Sequence, residues 1–252
     1  MEALIYYFHR NREHQSMRKP AVFFLLAVCL SITISSASAG VIIGGTRLIY
    51  HGNDKEASIQ VKSDVNDKSP YLIQSFIDDN GPKGDRPGGT DKLPFTVTPP
   101  LFRLDAGTEN TVRLVKTGSA LPSDRESVYW LNIKAIPANN PQDKGKNVLR
   151  FSLKNRIKLF YRPAGLGDPS HENLQTVLFQ QRGKTLTVTN PTPWYLTFYA
   201  LSVGGRPVDT KFTMVAPHSS HQYLLPQGAS GHVAWQYIND YGSPSAELQG
   251  GG

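Results

Sequence analysis

Val148-Leu149-Arg150-Phe151-Ser152-Leu153-Lys154-Asn155-Arg156-Ile157-Lys158-Leu159-Phe160-Tyr161 alternates apolar and polar side chains along most of its length. A period of two belongs to a strand, so Leu149, Phe151 and Leu153 project from one face and Arg150, Ser152 and Lys154 from the other. Periodicity alone favours an inward, core-filling role for the apolar row.

Upstream of this stretch, short segments of the same kind are separated by turn residues. Val41–Tyr50, Glu56–Lys62, Tyr71–Asp78, Pro94–Thr98, Asn110–Val115 and Ser127–Ile136 read as strands, and Val148–Tyr161 is the seventh. Gly52-Asn53-Asp54, Asn80-Gly81-Pro82-Lys83-Gly84 and Pro137-Ala138-Asn139-Asn140-Pro141 supply the turns. Seven strands without a helical period make one immunoglobulin-like sandwich. Arg162-Pro163-Ala164-Gly165 continues a ladder poorly and starts a helix poorly, which places a boundary there. A second set follows: Thr176–Gln180, Thr185–Thr189, Tyr195–Leu201, Lys211–Val215, His221–Leu225 and His232–Ile238. The expected architecture is all-β, two β-sandwich domains in tandem over residues 40–161 and 162–252. The closing Gly250-Gly251-Gly252 reads as a disordered tail.

Residues 1–39 have the layout of a secretory signal peptide. Arg18 and Lys19 precede the apolar run Ala21–Leu30, and Ala37-Ser38-Ala39 closes the segment with small residues. The run is shorter than the roughly 20 residues a membrane-spanning helix needs. The polar stretch ahead of Met17 leaves open whether translation starts at Met1 or Met17. A lipid anchor on Cys29 is disfavoured by the bulky Val28 before it. Cleavage after Ala39 removes that single cysteine, so the exported chain has neither a disulfide nor a thiol nucleophile. It also removes four cations, Arg10, Arg12, Arg18 and Lys19, and two anions, Glu2 and Glu13. The net charge of +7 becomes +7 − 4 + 2 = +5. Basic charge favours acidic partners. The cations are scattered among strands of an exported chain, which argues against nucleic acid and for a protein or peptide ligand.

Leu121-Pro122-Ser123-Asp124-Arg125-Glu126-Ser127-Val128-Tyr129-Trp130-Leu131-Asn132-Ile133-Lys134-Ala135-Ile136-Pro137-Ala138 resembles the signature segment of periplasmic pilus-assembly chaperones of the chaperone-usher system. Further landmarks of that family appear in order: Gly45–Tyr50, Tyr71–Ser75, Val97–Phe102, Arg156–Pro163, Asn190–Pro193 and Ile238–Gly242. The resemblance spans nearly all of residues 41–242. It implies a boomerang of two immunoglobulin-like domains that binds pilus subunits lacking a final strand, lends one, and passes them to an outer-membrane usher. Strand donation covers both an apolar groove and unpaired backbone groups, the two features that make an incomplete sandwich aggregate.

Carried onto this chain, the resemblance makes Leu149, Phe151 and Leu153 the donor row, with an aromatic where the family is commonly aliphatic. Arg47 and Lys158 match its paired anchor for the subunit's terminal carboxylate. Glu126, Arg162 and Asp240 match a charged network between the domains, whose expected role is to set the hinge. The short connection Pro137–Asn147 is similar to that of the short-loop, rod-pilus branch. An exposed donor strand also leaves self-association of the free protein open.

Catalytic patterns are missing from the sequence. It has no G-x-S-x-G elbow and no P-loop. His218, His221 and His232 lack the H-E-x-x-H or cysteine partners of a zinc site, and Asp78-Asp79-Asn80 lacks a complete calcium loop. The expectation is a binding protein with no cofactor and no metal. Its rivals are a structural or adhesive β-sandwich of the cell surface and an exported hydrolase.

Overall fold

The chain crosses from one sheet to another at Gly44–Thr46, and this break organises the first sandwich. In the computed structural model, residues 40–67, 69–84, 93–118, 120–139 and 145–250 are described. The expected signal peptide with Cys29 lies outside them, as do residues 251–252. Strand β1 (Val41–Ile43) pairs antiparallel with β3 (Ala57–Ser63). β2 (Arg47–His51) instead joins the opposite sheet and runs parallel to β9 (Leu153–Arg162). The stretch read as one strand, Val41–Tyr50, is therefore two.

The first sheet has the order β1-β3-β7-β5, with β5 spanning Phe95–Thr98 and β7 Glu109–Lys116. The second has the order β2-β9-β8-β4-β6, with β4 at Tyr71–Asp78, β6 at Leu101–Leu104 and β8 at Ser127–Pro137. β3 alternates strictly, burying Ala57, Ile59, Val61 and Ser63, and its buried apolar residues face those of β8 and β9 in one core. Each fully buried large apolar side chain contributes roughly 1.5–3 kcal/mol, so this core carries the stability that no disulfide supplies. β6 was missing from the sequence reading, because Pro99-Pro100 masks a four-residue strand directly after it.

A second core lies in the sandwich formed by residues after Arg162. One sheet has the order β10-β11-β14, from β10 (Leu178–Arg182), β11 (Thr185–Asn190) and β14 (Ser219–Leu224). The other has the order β13-β12-β15-β16, from β12 (Phe198–Val203), β13 (Arg206–Pro207), β15 (Val233–Tyr237) and β16 (Leu248–Gly250). Leu186, Val188, Val203, Val215 and Val233 are fully buried around Trp235. One helical turn, α1 (His171–Leu174), opens this sandwich. The Ser170 hydroxyl accepts from the Asn173 backbone N–H, and the Asn173 side chain accepts from the Ser170 N–H.

Three further local readings differ from the structure. Val148–Ser152 lies ahead of the ladder, which starts only at Leu153, where Ala135 becomes available as a partner. Lys211–Val215 is no strand: Thr213 N–H donates back to Thr210 C=O, Phe212 adopts φ 58°, and only Val215 bridges, to Leu196. Gly250 ends β16 instead of belonging to a tail, with Val233 as its register partner.

Candidate functional site

Strand β9 has two faces with different duties. Ile157, Leu159 and Tyr161 point into the first core, while Arg156, Lys158, Phe160 and Arg162 point the other way. The row continues backward to Leu153, Phe151 and Leu149, and there burial stops. These three are 61%, 78% and 78% exposed, so they do not fill their own domain's core. The core-filling role favoured by periodicity holds for the second half of the row alone.

β9 is also covered unequally along its edges. β8 pairs with it from Leu153 to Tyr161 on one side. On the other side β2 pairs only with Lys158–Arg162. From Leu153 to Ile157 that edge has no ladder partner among the described residues. The free edge ends where Arg47 and Lys158 sit opposite each other in the parallel register.

Both cations are half-buried, and neither forms an ion pair among the described residues. Arg47 Nη1 donates to the Ile238 carbonyl at 2.9 Å, its guanidinium lies 5.6 Å from the Phe160 ring centroid, and its buried Nε has no partner among the described residues. Lys158 Nζ donates to Thr197 Oγ1 at 3.0 Å. Burial first, and the neighbouring Arg47 charge second, bring the Lys158 pKa down to about 7. Burial likewise lowers Arg47, with Asp240 and Glu126 partly opposing it. Two like charges held close without an anion are unfavourable unless one arrives. Ile238 N–H donates to Thr197 C=O, so both tethers are on one rung of the second sandwich.

Arg162 has the opposite arrangement. It is 2% exposed and its guanidinium meets three carboxylates: Glu126 at 2.8 Å, Asp240 at 2.9 and 3.0 Å, and Asp168. Burial would lower its pKa, but the bonds to Asp240 and the nearby Glu126 outweigh it and the net direction is up. Glu126 Oε2 accepts from the Tyr195 N–H at 2.8 Å, and the Glu126 N–H donates to Pro193 C=O. Glu126, Arg162 and Asp240 thus converge across the two sandwiches. Asp168 was missed because it lies in a Gly/Pro stretch that reads only as a linker. A further charge site also escaped the sequence. Arg156 grips Asp78 bidentately at 2.8 and 3.0 Å, donates to Gly81 C=O and stacks over Trp130. In the sequence Asp78 stands out only as part of an incomplete calcium loop.

Residues 40–167 match the family described as pili and flagellar-assembly chaperone, PapD N-terminal domain, and residues 172–249 match the pili assembly chaperone PapD, C-terminal domain. The chain belongs to the pilus-assembly chaperone family. It is 39% identical over 223 residues to the probable fimbrial chaperone LpfB of Escherichia coli O157:H7, covering 88% of this chain and 92% of that relative. Among solved structures, the Salmonella enterica SafB chaperone in complex with the SafA pilin matches with a TM-score of 0.73 at 31% identity. That match covers 85% of this chain and 97% of the other. The periplasmic chaperone SfaE matches with a TM-score of 0.68 at 36% identity, covering 84% and 99%. The tandem β-sandwich is therefore a pilus-chaperone fold, and the adhesive reading is not favoured.

Proposed function

We propose that this chaperone captures a pilus subunit by its chain end, strand against strand, along the free edge of β9. The carrying observation is that this edge ends on two cations that have no carboxylate of their own among the described residues. A chain end lying there parallel to β9, as β2 does, brings a carboxylate to Arg47 and Lys158. The reverse polarity would direct an ammonium at them, so charge selects the direction of the captured strand. Leu149, Phe151 and Leu153 then fill the groove of the incomplete subunit. Three such side chains contribute roughly 1.5–3 kcal/mol each before ordering costs are subtracted.

In this reading residues 40–161 and 162–252 are the two domains, and residues 1–39 export the chain to the periplasm and are removed. Glu126, Arg162 and Asp240 set the angle between the domains, and the outer-membrane usher receives the subunit. The work is binding, with no catalytic step.

Co-expression with candidate pilins tests the proposal. The expected result is a soluble one-to-one complex that is lost in an Arg47→Ala/Lys158→Ala double variant that still folds. Retention of subunit by that variant would overturn it.

A further inference from the structure

The apolar row of β9 has one polar member. Leu149, Phe151, Leu153, Ile157, Leu159 and Tyr161 share a parity with Asn155. Its register partner is the fully buried Ile133, which fixes Asn155 on the inner face. Asn155 is half-buried, yet its side-chain amide makes no hydrogen bond among the described residues. It lines a groove with Val41, Ile43, Gly45, Thr46 and Ile157, between the outer edge of β1 and the free edge of β9. The amide still reaches solvent in the free chain, but it stands in an apolar row beside an unpaired edge, so a strand laid on that edge would cover it.

We propose that Asn155 sets the register of the captured strand by hydrogen-bonding a polar group within that strand's last four residues. This rests on the proposed capture along β9. A strand ending at Arg47 and Lys158 passes Asn155 three residues before its end level, since Asn155 precedes Lys158 by three positions on the same edge. Arg47 and Lys158, tethered as they are, hold the chain end at one point, and Asn155 offers a second polar point farther back along the same edge. The apolar knobs fix register loosely, since a slip of two residues keeps every side chain on its face. A short amide cannot follow such a slip. In a slipped complex Asn155 is desolvated against apolar atoms without a partner, and that penalises the wrong register. A single polar residue in an apolar seam fixes coiled-coil register by the same logic.

The test uses synthetic peptides of about ten residues, alternating in pattern and ending in a free carboxylate. They differ only in carrying Thr or its near-isostere Val at each of the last four positions. Wild type should prefer Thr at one of those positions by about fivefold in Kd, and Asn155→Leu and Asn155→Ala should lose that preference. The second variant is smaller than Asn and keeps the test usable if Leu perturbs folding. A Thr/Val ratio unchanged by both substitutions, or no preference in wild type, overturns the role of Asn155. Amidated peptides and Arg47→Ala separate the two readings. If binding is indifferent to the carboxylate and to Arg47, the capture proposal itself fails and this inference falls with it.

Discussion

Lys158 should make subunit capture depend on pH in a way that can be counted in protons. In the free protein its pKa is brought down to about 7 by burial and by Arg47. An arriving carboxylate supplies the missing opposite charge and returns the ammonium toward its ordinary value near 10.4. Above pH 7 the free amine must then take up a proton as the chain end binds. Affinity is highest below the free pKa and weakens about tenfold per pH unit above it. From about pH 6 to about pH 9 the loss approaches a hundredfold. Isothermal titration calorimetry of a carboxylate-terminated peptide, in buffers of different ionisation enthalpy, should count close to one proton taken up at about pH 8. The slope should vanish in Lys158→Met. In the free protein the same shift works on folding: the unfolded chain binds more protons between about 7 and 10.5, so wild type gains stability relative to Lys158→Met as pH climbs through that window. Uptake near zero in wild type, or an equal slope in the variant, would refute the coupling.

Arg162→Ala should cost about 3–5 kcal/mol in urea unfolding, because it strands Glu126 as a buried charge, whereas Arg162→Leu combined with Glu126→Leu should recover much of the loss. Replacing Leu149, Phe151 and Leu153 singly with Ser should leave the free protein's stability within about 0.5 kcal/mol of wild type, while pull-down of pilins falls. Phe151→Ile and Phe151→Ala should differ in which subunits they retain, and identical retention by all versions would remove any role for the aromatic in selection. Gly242 has φ 82° and a Cβ there would run into Thr46 Oγ1. Gly242→Ala should therefore destabilise by about 1 kcal/mol or more and shift the Asp240 loop, lowering peptide affinity as measured by fluorescence anisotropy.

What could be read from the sequence followed the reach of the interactions. β4 was legible to the residue, because an eight-residue alternation between turn signals depends on nothing distant. The division of Val41–Tyr50 was not, since Gly44 is held by its bond to Gln60 C=O, a partner that periodicity does not encode. Arg47 and Lys158 were named through family resemblance, but what makes them a receptor in the proposed reading is their parallel register and their lack of an ion-pair partner among the described residues. Both are properties of distant segments brought together. Asp168 and the Arg156–Asp78 pair went unassigned for the same reason: a charge in a turn looks alike whether it is solvated or clamped. The apolar row was ambiguous by period, and burial along it stops between Ile157 and Leu153.

The two cationic centres on β9 follow opposite rules within four residues of each other. Arg162 has three carboxylates for one guanidinium and is closed to solvent, which makes it a lock that is costly to open. Arg47 and Lys158 are two cations with no carboxylate in ion-pair contact among the described residues, at the end of an unpaired edge. They are joined physically, because the loop that carries Asp240 to Arg162 begins at Ile238, whose carbonyl holds Arg47, and Ile238 is bonded to Thr197, the residue that holds Lys158. The locked centre therefore fixes the loop on which the receptive one is tethered. Loosening Arg162 should disorder the cations before any peptide arrives, so an Arg162 variant that stays folded is expected to lose affinity and also the proton uptake at Lys158. Intact proton linkage in such a variant would show that the two centres act independently.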